Sequence, residues 1–335
     1  MERVRLGKTE ITVNRNGFGA LPIQRRNMED ADKILRKAYY NGIDFFDTAR
    51  AYTDSEEKIG QALSDVRGDI FIASKTMATD AEKMWEDLET TLENLKTDYL
   101  DLYQFHNPSY CPKPDDGTGL YEAAMKAKEK GMIRHLGITN HRLAVAKEAI
   151  GSDLYETLQF PFSYLADEKE VELVKMCKEH DMGFICMKSL AGGLINKADA
   201  AYAYLSQFDN ALPIWGIQHE HELDEFLAFN DDPPKMDEEM KAFIEKERAE
   251  LTGDFCRSCG YCMPCPVGIQ IFQCNRMSLL LRRMPKDVWL TEKWQEEMNK
   301  IDDCIGCRQC VEKCPYGLDI PNTLKKNLED YRSFL

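Results

Sequence analysis

Apolar positions along this chain recur in short runs near residues 16–20, 43–47, 70–74, 99–105, 133–138, 156–160, 183–187 and 212–217. Between them, segments such as 28–41, 79–96, 118–131 and 166–181 carry apolar residues at helical spacing. The first pattern predicts strands and the second amphipathic helices. Their alternation predicts βαβ units on a parallel sheet, because a parallel crossover needs a helix to bring the chain back. Eight repeats over roughly 215 residues suit a (β/α)8 TIM barrel, an α/β fold, better than a doubly wound sheet. A dinucleotide-binding Rossmann reading lacks its fingerprint, since Gly17-Phe18-Gly19 continues without a third glycine at the required spacing. Ahead of the repeats, residues 3–14 alternate around a Gly-Lys turn and predict a β-hairpin.

A charged helix over 235–250 closes the repeating part. The rest of the chain is different in kind: two helical stretches, RMSLLLRRM and TEKWQEEMNK, and a polar helix near 321–332, set among closely spaced cysteines. The expected division is a barrel over 1–250 and a small, mainly α, cysteine-rich domain over 251–335. No Gly/Ser-rich stretch separates them, so no long flexible tether is expected.

At 335 residues and 43% hydrophobic content, the chain is long enough for a barrel-sized core plus an appendage. A net charge of −15 argues against nucleic acid and anionic membrane as partners, since both reward a basic face. No apolar run reaches the length of a bilayer span, and MERVRLGKTE does not read as a signal peptide. The expected location is cytoplasmic, where twelve cysteines favour metal ligation over disulfides.

Eight of these cysteines fall into two runs: Cys256, Cys259, Cys262 and Cys265, then Cys304, Cys307, Cys310 and Cys314. The second run is C-x2-C-x2-C-x3-C-P, the spacing by which bacterial ferredoxins hold iron–sulfur clusters, with the fourth cysteine reaching the neighbouring cluster. The first run has one residue fewer before its last cysteine. Zinc sites pair two C-x2-C knuckles across a longer gap, whereas here three such steps run together. Two 4Fe-4S clusters are the expectation. Of the remaining cysteines, Cys177 and Cys186 read as buried thiols, Cys111 lies in a loop, and Cys274 is an alternative to Cys265 as a ligand.

In a (β/α)8 barrel, chemistry sits where the strands end. The second apolar run ends at Asp47 with Tyr52 in the following loop, the third at Lys75 and the fourth at His106. Three consecutive strands thus bring an acid, a phenol, an ammonium and an imidazole to one rim. Tyrosine, with an ordinary pKa of ~10, is a poor acid at neutrality. A buried lysine beside it lowers the cost of the phenolate, and Asp47 keeps that lysine charged. His106 can donate to a carbonyl oxygen and fix its direction. The set suits proton transfer to or from an oxygen while hydride moves at its carbon.

RLGKTEITVNRNGFGALPIQ, DFFDTARAYTDSEEKIGQAL, FIASKT, YLDLYQFHNP and RHLGITNH follow, in order, motifs of the aldo-keto reductases, and about residues 1–230 resemble that family. Barrels of this kind with a ferredoxin-like tail form a subfamily that the whole chain resembles. The resemblance implies a nicotinamide-dependent oxidoreductase interconverting a carbonyl (aldehyde, ketone or sugar) and an alcohol, with Tyr52, Lys75, Asp47 and His106 catalytic. It also implies Thr139, Asn140 and Gln159 on the carboxamide, Ser189, Leu190, Gly192 and Gly193 along the pyrophosphate, and Gly216 and Gln218 at the end of the eighth strand. The chain departs from the family pattern twice. Met187 stands where many members place a stacking ring. Gln218, His219, Glu222 and Glu225 stand where members that grip the 2′-phosphate of NADP offer lysine or arginine, so a preference for NADP is not implied, and NAD or a weakened dinucleotide site is admissible.

Clusters move single electrons and a nicotinamide gives up two as hydride, so direct exchange needs an adaptor such as a flavin. The clusters are then structural, or serve an electron-carrier protein, or form a docking module on a working reductase. The alternative function is an electron-transfer or regulatory subunit whose barrel binds cofactor or partner without reducing a carbonyl. Substrate choice falls to the loop 107–118, whose Tyr110, Cys111, Asp115 and Asp116 suit either a polyol-like ligand or a solvated loop.

Overall fold

The computed structural model describes residues 1–251 and 255–335. Ten strands form: β1 (Arg3–Arg5), β2 (Thr12–Asn14), β3 (Gly17–Gly19), β4 (Phe45–Asp47), β5 (Phe71–Thr76), β6 (Leu100–His106), β7 (Ile133–Thr139), β8 (Thr157–Pro161), β9 (Gly183–Met187) and β10 (Ala211–Gly216). β1 and β2 pair antiparallel, and β3 to β10 close into a parallel barrel in which β10 pairs β3. The TIM-barrel expectation holds, each strand lying within two residues of its apolar run. Helices α1 (Met28–Tyr40), α2 (Ser55–Leu63), α3 (Ala81–Leu95), α4 (Leu120–Glu129), α5 (Leu143–Ser152), α6 (Glu168–Glu179), α7 (Ala198–Leu205) and α8 (Glu220–Ala228) follow the barrel strands.

The hairpin positions the site by elimination. Its Val4, Leu6, Ile11 and Val13 are buried in one cluster with Phe45, Ala73, Leu102, Ile185 and Leu212. That apolar set stops the barrel at one end, which leaves the strand ends at Asp47, Lys75 and His106 as the end where polar side chains converge. Helix starts obey local chemistry. Asn27 and Asp80 accept from the amides of Asp30 and Lys83, and Asp167 with Glu170 forms a reciprocal cap on α6. α2 approaches α3 so closely that a β-carbon on Gly60 would lie 2.1 Å from the carbonyl oxygen of Asn94, so only glycine fits there.

By contacts, the chain divides into two compact units: Met1–Ser189 with Ala198–Glu238, and Leu190–Lys197 with Glu239–Leu335. The second holds α9 (Glu238–Glu250) from Glu239 onward, α10 (Ile271–Cys274), α11 (Met277–Arg283), α12 (Glu292–Asn299), α13 (Gln309–Glu312) and α14 (Ile320–Arg332). α14 packs on α10, α11 and α12 through buried Leu324, Leu328 and Tyr331. Arg282 grips Asp330 with two nitrogens at 2.5 and 2.8 Å. Among the described residues, no helix is long and apolar enough to cross a membrane.

Candidate active site and cysteine centre

The loop after β4 keeps the strand's pairing going. Thr48 and Arg50 donate backbone bonds to Ala73 and Lys75 of β5, at 2.8 and 3.0 Å. A turn closed by Tyr52 N on Ala49 O then carries Tyr52 beside Lys75. The Lys75 Nζ donates to Asp47 Oδ2 at 2.7 Å and to the Thr48 carbonyl at 2.5 Å, and sits 5.2 Å from the Tyr52 ring centre. On Tyr52's other flank, the His106 ring meets it edge-on at 5.8 Å. The four residues named from strand ends are therefore neighbours.

Their environments differ. Asp47 and Lys75 are sealed, at 2% and 1% exposure, whereas Tyr52 and His106 are partly open. Burial pushes the Lys75 ammonium below its ordinary range and Asp47 acts against that shift. Burial, then the charges of Lys75 and Lys188, lower the His106 pKa to about 3, so its ring is neutral at working pH. Its Nδ1 is buried without a hydrogen-bond partner, leaving Nε2 as the nitrogen available to a ligand. The arrangement can hold a cation beside a phenol and offer a neutral N–H donor next to it.

A second rank of residues escaped sequence reasoning. Glu56 of α2 is 1% exposed and accepts from Ser74 at 2.7 Å, Thr91 at 2.8 Å and Asn94 at 3.3 Å, and it pairs with Arg50. It therefore braces β5 next to Lys75 and the loop that carries Tyr52. Its only sequence signal was an acid in the loop-helix stretch just after Tyr52.

The proposed nicotinamide residues surround this set in part. Thr139 and Gln159 are register partners on β7 and β8, next to His106, which pairs Thr139 from β6. Gln159 accepts from Gln104 at 3.0 Å. Asn140 spends both ends of its amide locally, on the Pro108 carbonyl and on the amides of His141 and Arg142. A donor set of hydroxyl and carboxamides beside His106 fits a carboxamide-bearing ring. Ser189 is buried and donates to Cys186 O at 3.1 Å, while Leu190, Gly192 and Gly193 fall in the second unit. Gly216 is exposed at the end of β10, and Gln218 lies just beyond it with Oε1 3.4 Å from Arg25. Glu222 accepts from the amides of Gln218 and His219 at 2.8 and 2.9 Å, so α8 caps itself with a carboxylate. In the loop 107–118, Asp116 accepts from Lys113 and Thr118, and the Asp115 amide bonds Glu122, local stitching of the kind a solvated loop needs.

In the second unit, Cys265, Cys304, Cys307 and Cys310 line one hollow together with Cys262, Ile269, Ile271 and Leu324. Cys256 and Cys262 lie within electrostatic reach of Cys259 and of Cys314. Cys265 thus shares a hollow with the first three cysteines of the second run, and Cys314 lies within reach of Cys256 and Cys262 of the first. Among the described residues, no three His, Cys, Asp or Glu side chains gather in a way that could hold a single metal ion. A cluster needs a different arrangement, thiols spread around a hollow, and the residues present fit one. Cys274 lies apart, fully buried, its thiol facing the Glu297 carbonyl at 3.8 Å. Cys111, Cys177 and Cys186 are buried thiols.

Comparison with known proteins bears on both units. Residues 255–319 match a 4Fe-4S dicluster domain. The uncharacterized oxidoreductase YqkF of Bacillus subtilis (strain 168) is 29% identical over 211 residues, 59% of this chain and 67% of its own length. Methylglyoxal reductase DkgB of Salmonella typhi is 32% identical over 180 residues, 50% of this chain and 64% of its own. The chain therefore spans about two thirds of the length of these curated relatives. Among solved structures, the holo form of aldo-keto reductase AKR11C1 from Bacillus halodurans gives a TM-score of 0.64 at 22% identity, over 74% of this chain and 96% of its own. An aldo-keto reductase from Klebsiella pneumoniae in complex with NADPH gives 0.63 at 22%, over 73% and 94%. These likenesses show a shared barrel. Residues 15–212, more than half the chain, match the aldo/keto reductase family, and to that family the chain belongs.

Proposed function

We propose that this protein is a nicotinamide-dependent oxidoreductase that interconverts a small carbonyl compound and its alcohol. The observation that carries the reading is the contact set of Tyr52 with Lys75 and His106, with Asp47 closing the buried pair behind them. The family membership and the methylglyoxal reductase among its relatives support the substrate class.

A nicotinamide held beside these residues would supply or accept the hydride. His106, neutral and with one nitrogen free, donates to the carbonyl oxygen and directs it toward Tyr52. The Tyr52 hydroxyl gives that oxygen its proton as charge develops there. Lys75 stands close enough to stabilise the resulting phenolate, and Asp47 offsets the cost of keeping an ammonium in a sealed site. In the reverse direction the same groups take the proton from an alcohol. Thr139 and Gln159 hold the carboxamide, and Asn140 shapes their loop through its local bonds.

In the second unit, we assign one 4Fe-4S cluster to Cys256, Cys259, Cys262 and Cys314, and another to Cys265, Cys304, Cys307 and Cys310. Such clusters carry single electrons when redox-active and add folding energy in either case.

Removing the phenol tests the barrel assignment. Tyr52→Phe should lower kcat with a small carbonyl substrate by about 10²–10⁴-fold, with the dissociation constant for NADH or NADPH unchanged. Undiminished turnover by that variant would sink the reading. Failure of the wild-type protein to turn over any of a broad panel of aldehydes, ketones and sugars would favour the electron-transfer alternative.

A further inference from the structure

Two arginines of the second unit reach the same loop. Arg283 donates to the Leu194 carbonyl at 2.7 Å and pairs with Glu247, so its charge is balanced. Arg276 is 2% exposed and donates to the carbonyls of Ala191 and Gly192, at 3.3 and 2.9 Å. Its Nε is buried with no hydrogen-bond partner, and among the described residues no carboxylate pairs with it. A guanidinium cannot shed its proton in a protein. Burying one without a counter-charge is costly, so this position favours a group nearby that can carry negative charge.

The groups around the guanidinium lead to the first cysteine run. A β-carbon on Gly192 would stand 3.2 Å from Arg276 Nη1 and 3.3 Å from Ser258 Cβ, so the guanidinium and Ser258 crowd the same point. The Ser258 amide in turn donates to Cys256 Sγ at 3.4 Å. Arg276 and the Cys256 thiol lie within electrostatic reach of one another. The hollow lined by Cys265, Cys304, Cys307 and Cys310 is differently served. Its cation, Arg308, is exposed and faces Asp319 at 3.6 Å.

We infer that Arg276 is the counter-ion of the cluster at Cys256, Cys259, Cys262 and Cys314, and that it raises the reduction potential of that cluster above that of the other. The inference rests on the cluster assignment made above. A cluster held by four thiolates is anionic and gains one more negative charge on taking up an electron. A fixed buried cation stabilises the reduced form more than the oxidised one, and net charge and hydrogen bonding are what set such potentials. Because the same side chain holds the carbonyls of Ala191 and Gly192, the loop 190–197 and this cluster share one cation.

The test is an anaerobic redox titration of the full-length protein with dithionite and mediators, monitored by EPR, alongside iron and sulfide analysis. In Arg276→Met, the two clusters should remain while the potential of one falls. The fall corresponds to at least a tenfold loss in its reduction equilibrium, about 59 mV for a one-electron couple. Arg276→Lys, which keeps the charge, should recover most of it. If Arg276→Met does not assemble both clusters, Gly192→Ala takes its place: it keeps the cation but pushes Nη1 aside, and should lower the same potential. Unchanged potentials, or equal shifts in both clusters, in a variant with full iron and sulfide overturn the inference. Absence of iron and sulfide from the anaerobic wild-type protein overturns the cluster assignment itself and the inference with it, and that analysis alone tells the two failures apart.

Discussion

His106 ties the chemistry of the barrel to its stability. Its folded pKa is about 3 against an ordinary ~6.5, so the unfolded chain takes up a proton on falling through that window and the folded chain does not. The stability associated with a neutral His106 is therefore complete above pH 6.5 and is lost as the pH falls toward 3. The slope approaches about 1.4 kcal/mol per pH unit. Urea unfolding of the wild-type protein and of His106→Gln at pH 7, 6 and 5 should show the wild type losing ground relative to the variant at each step. A constant difference would mean that the ring is not protected from protonation. The proposed catalytic set was legible because each strand-borne member sits where an apolar run gives way to a polar residue, with Tyr52 just beyond. Glu56 and Arg276 were not. Each reads as an ordinary surface charge, and each is buried only by partners distant in sequence, Thr91 and Asn94 for the first and the loop 191–192 for the second. Periodicity records a residue's own element, not what closes over it.

The same distinction holds for strands and helices. The eight barrel strands stood out as apolar runs between turn signals, and the amphipathic α1, α3, α4 and α6 by their polar faces. α7 is different: every residue from Ala200 to Leu205 is buried, so it has no polar face to betray its period. α10 and α13, four residues each, are too short to show one. α8 carries a prediction through its own cap. Glu222 occupies the amides of Gln218 and His219, where a carboxylate repels a second anion and leaves it no donors. Glu222→Gln keeps an acceptor for both amides but removes the charge. The ratio of NADPH to NADH affinity, read by quenching of protein fluorescence, should rise about tenfold, a difference of about 1.4 kcal/mol. An unmoved ratio would place the 2′-phosphate elsewhere.

For the molecule taken entire, the linear reading found a barrel succeeded by a cysteine-rich tail. Contacts group the chain otherwise: Leu190–Lys197, which lies between β9 and α7 in sequence, belongs to the compact unit that contains the cysteines. A short excursion of this kind carries no composition shift and leaves no trace in the pattern. The second unit has short helices and a modest core, so metal–thiolate bonds should supply much of its stability. Removing iron with a chelator under air should abolish one thermal transition and leave the barrel's circular dichroism largely intact. A single transition at unchanged temperature would show that the clusters are dispensable for folding.

The exchange of last cysteines between the two runs also governs the order of events during synthesis. On the proposed ligation, the centre begun by Cys256, Cys259 and Cys262 stays one thiolate short until Cys314 has left the ribosome, and the centre that uses Cys265 has no other ligand until Cys304 appears. Neither site can be finished early and then built upon. Iron loading becomes a step that waits for the second cysteine run, and a nascent chain stalled between residues 265 and 304 exposes the four thiols of the first run with nothing yet to close them.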